Sequence, residues 1–501
     1  MGEILAFVLY FVAMLAIGVW FFIKTKDNGE KEYFLGGRSM GPWVTALSAQ
    51  ASDMSAWLLM GLPGSILAFG LGQAWIGIGL AIGTAANWII VAKRLRKFSA
   101  ASGDAITVPQ YLTNRFMTQS PVLKIVCAIV FLISFTIYVA SAFSAGTSVF
   151  TTLFPSLSDD AAMIIFAAII LIYTFLGGFK AVCWTDFFQG LLMLIALMAV
   201  PIVIVATKTL DTASLSQVYS YVENGNTVEC AFTSNLFGAS WKEILSGLGW
   251  GLGYFGMPHI IVRFMSIEKP SMVKKSAIVA IVWVIISLLA AILIAYLGRM
   301  LVAEQLLTTG SQKLVFIQLA RDLFPGFIAG ILLAAIIAAS MSTADSQLLV
   351  ASSSFTSDIY KPLIRKNASE KELLWVGRIV VIIVAIVAFF IANNGGKGAQ
   401  AIMNMVENAW GLFGAAFGPV ILLSLFWKRF TYSGAVAGII AGSVVDIVWL
   451  IWLSKSTGIY EIIPGFIVCA IFAVVVSLID KKPSDEVYAI FDKATDNSID
   501  D

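Results

Sequence analysis

The acidic residue Asp53 interrupts a stretch, from Ser39 to Ala92, that carries no other charge. Small and polar residues surround it in the run Ser48-Ala49-Gln50-Ala51-Ser52-Asp53-Met54-Ser55. A carboxylate in such apolar surroundings is costly and usually faces a cavity or a partner. Small residues also let a helix open, and the exposed carbonyl oxygens can bind sodium. The run therefore predicts a cation site; the alternative is a tight small-residue packing face with one satisfied acid.

A second polar run, Ala338 to Ser346, contains the adjacent hydroxyls of Ser342 and Thr343. Ser342, Asp345 and Ser346 are spaced i, i+3, i+4 and share one helix face. Hydroxyl and carboxylate oxygens together indicate an ion site. The alternative is that the hydroxyls donate to carbonyls one turn earlier in the same helix.

A third run, Ser246 to Pro258, holds five glycines and ends in proline. Glycine destabilises a continuous helix and proline kinks it, so an interrupted helix is expected here. Trp250 and Tyr254 are four residues apart and share a face. The alternative is a helix-packing surface of small residues with interfacial aromatics.

The composition places these runs in a membrane. Hydrophobic residues make up 59% of the 501 residues and charged residues 12%, against about 45–50% and about 25% in soluble domains. The net charge of +2 gives no indication of nucleic-acid binding. One histidine, His259, and four widely spaced cysteines exclude multi-histidine haem, copper or zinc sites and suggest no disulfide framework. No phosphate-binding loop or nucleophile–base pair is present, so an ATP-driven pump or an enzyme is not expected.

Long uncharged runs predict about 13 transmembrane helices in an all-α integral membrane protein, since lipid offers no partner for unpaired backbone groups. The predicted spans are 4–23, 41–69, 73–92, 122–152, 161–178, 185–207, 240–262, 276–300, 314–353, 374–393, 404–427, 432–453 and 459–479.

Lysine and arginine set the expected orientation. With the N-terminus outside and the C-terminus inside, 25 of the 32 basic residues lie on the inner side and seven outside. Residues 210–241 then form the longest outer loop. Residues 1–480 are expected to form one transporter domain. Residues 481–501, which are polar and acidic from Ser484 onward, are expected to form a loosely structured cytosolic tail.

The two interrupted spans, the second and the seventh, lie five spans apart. That spacing suits two inverted five-helix repeats, about 39–207 and about 240–427, with a site at the midplane between the broken helices. Spans 4–23, 432–453 and 459–479 are then additional helices.

Two further polar residues have open interpretations. Asp186, at the start of the sixth span, is either functional or a helix N-cap at the inner surface. Arg38, at the inner mouth of the second span, is either functional or only a positive-inside anchor.

The runs Tyr33–Ser39, Ala46–Ala49, Ser52–Ser55 and Gly249–Ile260 resemble the sodium:solute symporter family. The resemblance covers about residues 5–480, and the run from Trp250 to His259 is typical of the branch that transports proline. It implies the LeuT-like inverted-repeat fold, with one extra N-terminal and two extra C-terminal helices.

The resemblance also implies roles for single residues. A sodium site would use the carbonyls of Ala51, Met54 and Ala339 and the hydroxyls of Ser342 and Thr343. Sodium coupling would involve Asp53, with Arg38, Ser48 and Asp186 on the inner pathway. The proline pocket would be shaped by Ser55, Tyr138, Trp250, Tyr254 and Pro258.

This chain departs from the branch at Met257, where glutamine is familiar, and at Asp345, where a small hydroxyl is familiar. Asp345 with Asp186, Ser342 and Ser346 could form a second cation site. The alternatives are a proton shared between the two acids or an acid paired with a nearby Lys or Arg.

The expected function is sodium-coupled secondary active uptake of L-proline across the cytoplasmic membrane, with sodium as the coupling ion and no other cofactor. Other small solutes, such as another amino acid or pantothenate, are the alternatives within the family. A channel or an intramembrane enzyme is the alternative outside it.

Overall fold

The computed structural model describes residues 1–24, 29–223, 225–394 and 399–496. Lys26, Lys397 and residues 497–501, which the topology and tail predictions include, lie outside these ranges. The described chain is predominantly helical. A hairpin of β1 (Tyr219–Glu223) and β2 (Asn226–Cys230) pairs antiparallel in the predicted outer loop.

The α-helices are α1 Gly2–Lys24, α2 Glu30–Leu35, α3 Pro42–Asp53, α4 Gly61–Phe69, α5 Ala74–Ala86, α6 Lys93–Ala101, α7 Val108–Arg115, α8 Val122–Leu153, α9 Asp159–Thr207, α10 Trp241–Gly249, α11 Pro258–Ser266, α12 Val273–Leu301, α13 Ala303–Leu307, α14 Val315–Leu323, α15 Gly326–Ser353, α16 Glu370–Asn394, α17 Ala399–Phe426, α18 Tyr432–Val448, α19 Ser454–Thr457, α20 Ile462–Ile479 and α21 Asp485–Thr495. Wider π-helical turns join α5 to α6, continue α15 through Ser354–Ile364 and join α18 to α19.

Ten helices in the described ranges are long and apolar enough to cross a membrane. They overlap ten of the 13 predicted spans; the others are 41–69, 161–178 and 240–262. Each of these three contains or adjoins an interruption of the helix. The all-helical membrane architecture is therefore confirmed, while the number of crossings stays a prediction.

The second predicted span is broken where the polar run lies. Helix α3 ends at Asp53, and Ser55 has an extended backbone. The Ser55 hydroxyl accepts a hydrogen bond from the Trp57 amide at the start of a short 3₁₀ turn, and the helix resumes at Gly61. The hydroxyl thus satisfies an amide that the interrupted helix leaves without a carbonyl partner.

The seventh predicted span is broken as well. Helix α10 gives way to a 3₁₀ segment, Trp250–Phe255, and α11 begins at Pro258 after the extended Met257. Proline fits the first helical position because that amide has no intrahelical partner. The irregularity predicted from the glycines is confirmed.

The predicted fifth and sixth spans both lie in the helical range α9 and are separated at Gly178, where the backbone leaves the helical conformation with φ at +62°. Asp186 lies eight residues beyond this break, inside the helix. Its interpretation as an N-cap is therefore wrong. The predicted start of the ninth span is also wrong, because Phe324 and Pro325 separate α14 from α15.

The tail is more ordered than expected, since residues 485–495 form α21, which packs against α6 and α7. The ring of Phe491 lies 5.3 Å from that of Phe98 and 5.2 Å from the guanidinium of the buried Arg115. Arg115 also donates to the Val487 carbonyl of α21 at 3.3 Å. Aromatic and cation–π contacts hold the helix in place.

The broken helix α3 packs against α9, α11, α12 and α15. This packing brings the polar residues of three separate sequence runs to the centre of the protein.

Candidate functional site

The hydroxyl of Ser342 joins the broken helix α3 to α15. It lies 2.8 Å from the Ala51 carbonyl oxygen and 3.2 Å from that of Ala339. The contact with Ala339 is the back-bonding that was the alternative interpretation, whereas the contact with Ala51 crosses between helices. Three of the five predicted sodium ligands therefore meet at one point.

The other two predicted ligands are buried on the same two elements. Thr343 follows Ser342 on α15, and its hydroxyl has no hydrogen-bond partner among the described residues. Met54 is the first residue beyond α3, where the backbone leaves the helical conformation. An unpartnered buried hydroxyl retains its full capacity to accept or coordinate.

Asp53 is held from three directions. Its carboxylate accepts a hydrogen bond from the Tyr254 hydroxyl, and its backbone carbonyl accepts from the Tyr138 hydroxyl at 3.2 Å and the Trp57 indole at 3.4 Å. The second carboxylate oxygen has no hydrogen-bond partner in the described part of the chain, and the residue is 1% exposed. Among the described residues no lysine or arginine pairs with it. The carboxylate therefore has capacity left for a further donor or a cation.

Aromatic rings surround the break between α10 and α11. The Trp250 ring lies 6.4 Å from Trp57, 6.4 Å from Trp410 and 5.4 Å from Tyr460. Tyr254 and Trp250 are both buried, as is Pro258 at the start of α11. The predicted pocket residues Ser55, Tyr138, Trp250 and Tyr254 thus converge on the two helix breaks.

A cleft of about 150 Å³ reaches the Trp250 side of this region. Glu243 and Ser246 of α10 line it, together with Met403 and Glu407 of α17. It lies at the end of the molecule that is predicted to face outside, beside the N-terminus of α10.

A separate cluster lies around Arg263, which the sequence analysis counted only among the inner basic residues. Its guanidinium Nη2 lies 2.9 Å from Asp186 Oδ2 and 2.5 Å from Ser346 Oγ, and its Nε lies 2.7 Å from Ser48 Oγ. The Ser48 hydroxyl in turn donates to Asp186 Oδ2 at 2.7 Å. Arg263 and Asp186 are both fully buried, so this is an internal ion pair.

Asp345 lies at the edge of the Arg263 cluster. Its Oδ1 is 3.4 Å from the Ser346 hydroxyl, and its Oδ2 has no hydrogen-bond partner within the ranges that the structure describes. Of the predicted second cation site, Ser342 contacts Ala51 and Ala339 instead, while Asp186 and Ser346 contact Arg263. The pairing of an acid with an arginine is thus observed for Asp186, not for Asp345.

Arg38 lies outside both groups. It pairs with Asp104 at 2.5 Å and donates to the carbonyls of Met265 and Ala105. Burial raises the pKa of the Asp104 carboxyl, but hydrogen bonds and charges from Lys31 and Arg38 outweigh it, so that pKa lies below its ordinary value. Arg38 therefore ties the entrance of α3 to the loop after α6 and to α11.

Comparison with known proteins identifies the family. The model of the sodium:solute symporter family matches residues 33–442. The chain belongs to this family. The resemblance found from the sequence motifs is confirmed, and the symporter is a multi-pass membrane protein.

Several relatives match the symporter over nearly its whole length. The sodium/proline symporters of Haemophilus influenzae and Escherichia coli are each 43% identical over 98% of this chain, covering 97% and 96% of those proteins. The osmoregulated proline transporter OpuE of Bacillus subtilis is 41% identical over 96% of both chains.

Two solved structures share the fold. A substrate-bound, outward-open sodium-coupled sialic acid symporter matches with a TM-score of 0.76 at 21% identity, over 97% of this chain and 98% of that one. Mhp1, a transporter of the nucleobase-cation-symport-1 family, matches with a TM-score of 0.54 at 14% identity, over 94% and 99%. Both have the LeuT-type fold, and at these identities the likeness concerns the fold alone.

Sequence reasoning missed two residues that organise the symporter's centre. Arg263 follows His259 by one helical turn, so a positive charge on the buried face of α11 was the available signal. Trp410 lies in the predominantly apolar helix α17, and its sequence neighbours do not separate it from an ordinary core tryptophan.

Proposed function

We propose that this symporter takes up L-proline together with sodium across the cytoplasmic membrane. The 41–43% identity to sodium/proline symporters and a proline transporter over nearly the full chain supports the substrate and the ion. The observation that carries the mechanism is the meeting of α3 and α15 through Ser342 beside the break at Met54 and Ser55. Oxygen atoms of both helices meet there, where one bound cation would contact α3 and α15 together.

Sodium would be held by the carbonyls of Ala51, Met54 and Ala339 and by the hydroxyls of Ser342 and Thr343. The hydroxyl of Ser342 donates to two of these carbonyls. If the hydroxyl rotated, a cation could replace its hydrogen and be bound by all three oxygens. A hard cation prefers such oxygens. Bound sodium would then fasten α3 to α15 and favour one conformation of the symporter.

Proline would bind between the two helix breaks. Amide groups released by a break suit its carboxylate, and the rings of Trp250 and Tyr254 suit its apolar ring. Tyr254 also donates to Asp53, which lies two residues from Ala51. This contact gives a direct physical route by which sodium binding at α3 affects the substrate pocket.

The inner pathway would run past Ser48, Asp186 and Arg38. Ser48 and Asp186 belong to the Arg263 cluster, and Arg38 anchors the inner entrance of α3. Their contribution would be to set which inner contacts break when the pathway opens.

The proposed architecture is the pair of inverted repeats, about 39–207 and about 240–427, with the N-terminus outside. The breaks in α3–α4 and in α10–α11 at corresponding positions support it. Cys230 is buried and unsuitable as a probe, whereas Thr227 on β2 is exposed. In whole cells, an impermeant maleimide should label Thr227→Cys; exclusive labelling in inverted vesicles would reverse the orientation.

The decisive test is radiolabelled L-proline uptake into proteoliposomes with and without a sodium gradient. We expect accumulation only with sodium, and Trp250→Ala should weaken proline binding by about tenfold. Accumulation without sodium would contradict coupling. Competition by unlabelled amino acids and pantothenate identifies the solute, and failure of proline to compete would overturn the substrate.

A further inference from the structure

The indole of Trp410, on α17, is hydrogen-bonded to the 3₁₀ segment Trp250–Phe255 between α10 and α11. Its Nε1 donates to the Trp250 carbonyl at 2.7 Å. Trp410 is 1% exposed, so water does not compete for this contact. A buried N–H of this kind requires a partner, and here the partner is the backbone of a residue assigned to the substrate pocket.

The ring of Trp410 also contacts both pocket aromatics. It meets the Tyr254 ring edge-to-face with centroids 5.0 Å apart, and it stacks against Trp250 at 6.4 Å. One side chain outside the segment therefore contacts the two residues proposed to contact the proline ring.

The fit between Trp410 and the segment is close. A Cβ at Gly253 would lie 1.9 Å from Trp410 Nε1, and one at Gly414 would lie 2.8 Å from the Gly253 Cα. Glycine is therefore required at both positions. These contacts leave little room for the segment to shift relative to α17.

The segment depends on such outside support because its own geometry is weak. Residues 250–255 are 3₁₀-helical and contain two glycines. Short 3₁₀ turns have poorer hydrogen bonds than an α-helix, and glycine adds backbone freedom. The orientation of Trp250 and Tyr254 is thus not fixed by the segment alone.

We infer that Trp410 is a positioning residue for substrate recognition, which fixes Trp250 and Tyr254 through its indole N–H without itself binding the solute. The inference rests on the proposed function, because the substrate pocket is part of that proposal. Met403 and Glu407 on the same helix line the outer cleft. A movement of α17 at the cleft would therefore shift Trp410 and, through its contacts, Trp250 and Tyr254.

The test replaces Trp410 by 3-benzothienylalanine, in which sulfur takes the place of the indole N–H and the ring shape is kept. Trp410→Phe is the second variant, and it shortens the ring as well. Phe417→Leu is the control, because Phe417 lies on the same helix and its ring packs against Phe131 and Phe413. Equilibrium proline binding to purified folded protein is measured at saturating sodium, together with uptake kinetics.

We expect the isosteric variant to weaken proline binding by about fivefold, as the loss of one hydrogen bond predicts, with the maximal uptake rate per folded protein kept. Trp410→Phe should weaken binding at least as much, and Phe417→Leu should alter the yield of folded protein but not the affinity. Unchanged affinity in both Trp410 variants, or an equal loss in Phe417→Leu, would overturn the inference. Absence of proline binding by the wild type would instead overturn the proposed function.

Discussion

Two of the buried acids at the centre of the symporter, Asp53 and Asp186, differ in their partners. Asp53 accepts a hydrogen bond from the Tyr254 hydroxyl and, in the ranges that the structure describes, has no cationic side chain beside it. Asp186 is paired with Arg263 and also accepts a hydrogen bond from the Ser48 hydroxyl. The first region therefore contains a carboxyl group without a cationic partner among the described residues, and the second contains one that is already paired with an arginine.

This difference separates an ion-dependent region from a structural one. A buried carboxylate without a counter-charge is costly, so it either takes up a proton or is stabilised by a cation from solution. Removing one partner of a buried ion pair is strongly destabilising, because the other charge is left uncompensated. Sodium should therefore act mainly where Asp53, Ser342 and Thr343 lie, and the Arg263 cluster should act mainly on stability and conformation.

The largest effect is expected from Arg263→Gln, which leaves Asp186 buried without its cation. Unfolding of the purified protein by denaturant should show a loss of about 3–5 kcal/mol. Adding Asp186→Asn should restore most of it, because the double variant has no unpaired charge. Arg321→Gln is the control; its pair with Glu3 is partly exposed and should cost about 1 kcal/mol or less.

If the free energy of unfolding of Arg263→Gln alone equalled that of the wild type, the proposed difference between the two regions would be wrong.

Asp53→Asn should act on sodium dependence instead of stability. It keeps the shape and an acceptor for Tyr254 but removes the charge. Uptake at low sodium should fall by about a hundredfold, as for loss of a charged interaction. The control is Asp358→Asn, another fully buried acid that accepts from Thr107 at 2.8 Å, away from both regions. Wild-type uptake by Asp53→Asn at low sodium would favour the small-residue packing interpretation.

The double variant Ser342→Ala with Thr343→Ala removes two proposed ligand oxygens without changing charge. The half-saturating sodium concentration should rise by about tenfold, since two neutral contacts are lost. Ser340→Ala is the matched control, because the Ser340 hydroxyl donates only within α15, to the Ile336 carbonyl at 3.0 Å. An equal effect in the control would show that the hydroxyls serve the helix and not the ion.

The smallest effect is expected at Asp345. If Arg263 already supplies the positive charge in this region, proline flux should carry one sodium in the wild type and in Asp345→Ser alike. Reversal potentials in proteoliposomes at several sodium ratios measure the coupling ratio. A ratio near two that falls to one in the variant would establish the second cation site of Asp186, Ser342, Asp345 and Ser346. Sodium would then act in both regions, and the proposed difference between them would be wrong.

The sequence predicted the helical membrane fold and the two helix breaks because each leaves a local signal. A lone acid among small residues marks α3, and glycines before Pro258 mark the break before α11. The family and the transported solute followed from motifs at the same places. What escaped prediction is contact between distant segments: Arg263 reaches Asp186 across 77 residues, and Trp410 reaches Trp250 across 160.

Helix boundaries failed where backbone geometry overrides hydropathy. Apolar composition alone did not reveal that the second helical part of α9 begins directly after Gly178, so Asp186 was placed at a helix start. The tail was misjudged for a related reason. Its polar sequence conceals Val487 and Phe491, which become anchored only when Arg115 and Phe98 are already in place.

The docking of α21 has a consequence for biosynthesis. Arg115 and Val487 are separated by 372 positions in the chain, and most of the transmembrane helices are synthesised between them. During synthesis, the guanidinium of Arg115 and the ring of Phe98 therefore lack their contacts with α21 until the end of the chain has been made. A chain that stops before residue 485 leaves both side chains without this cover.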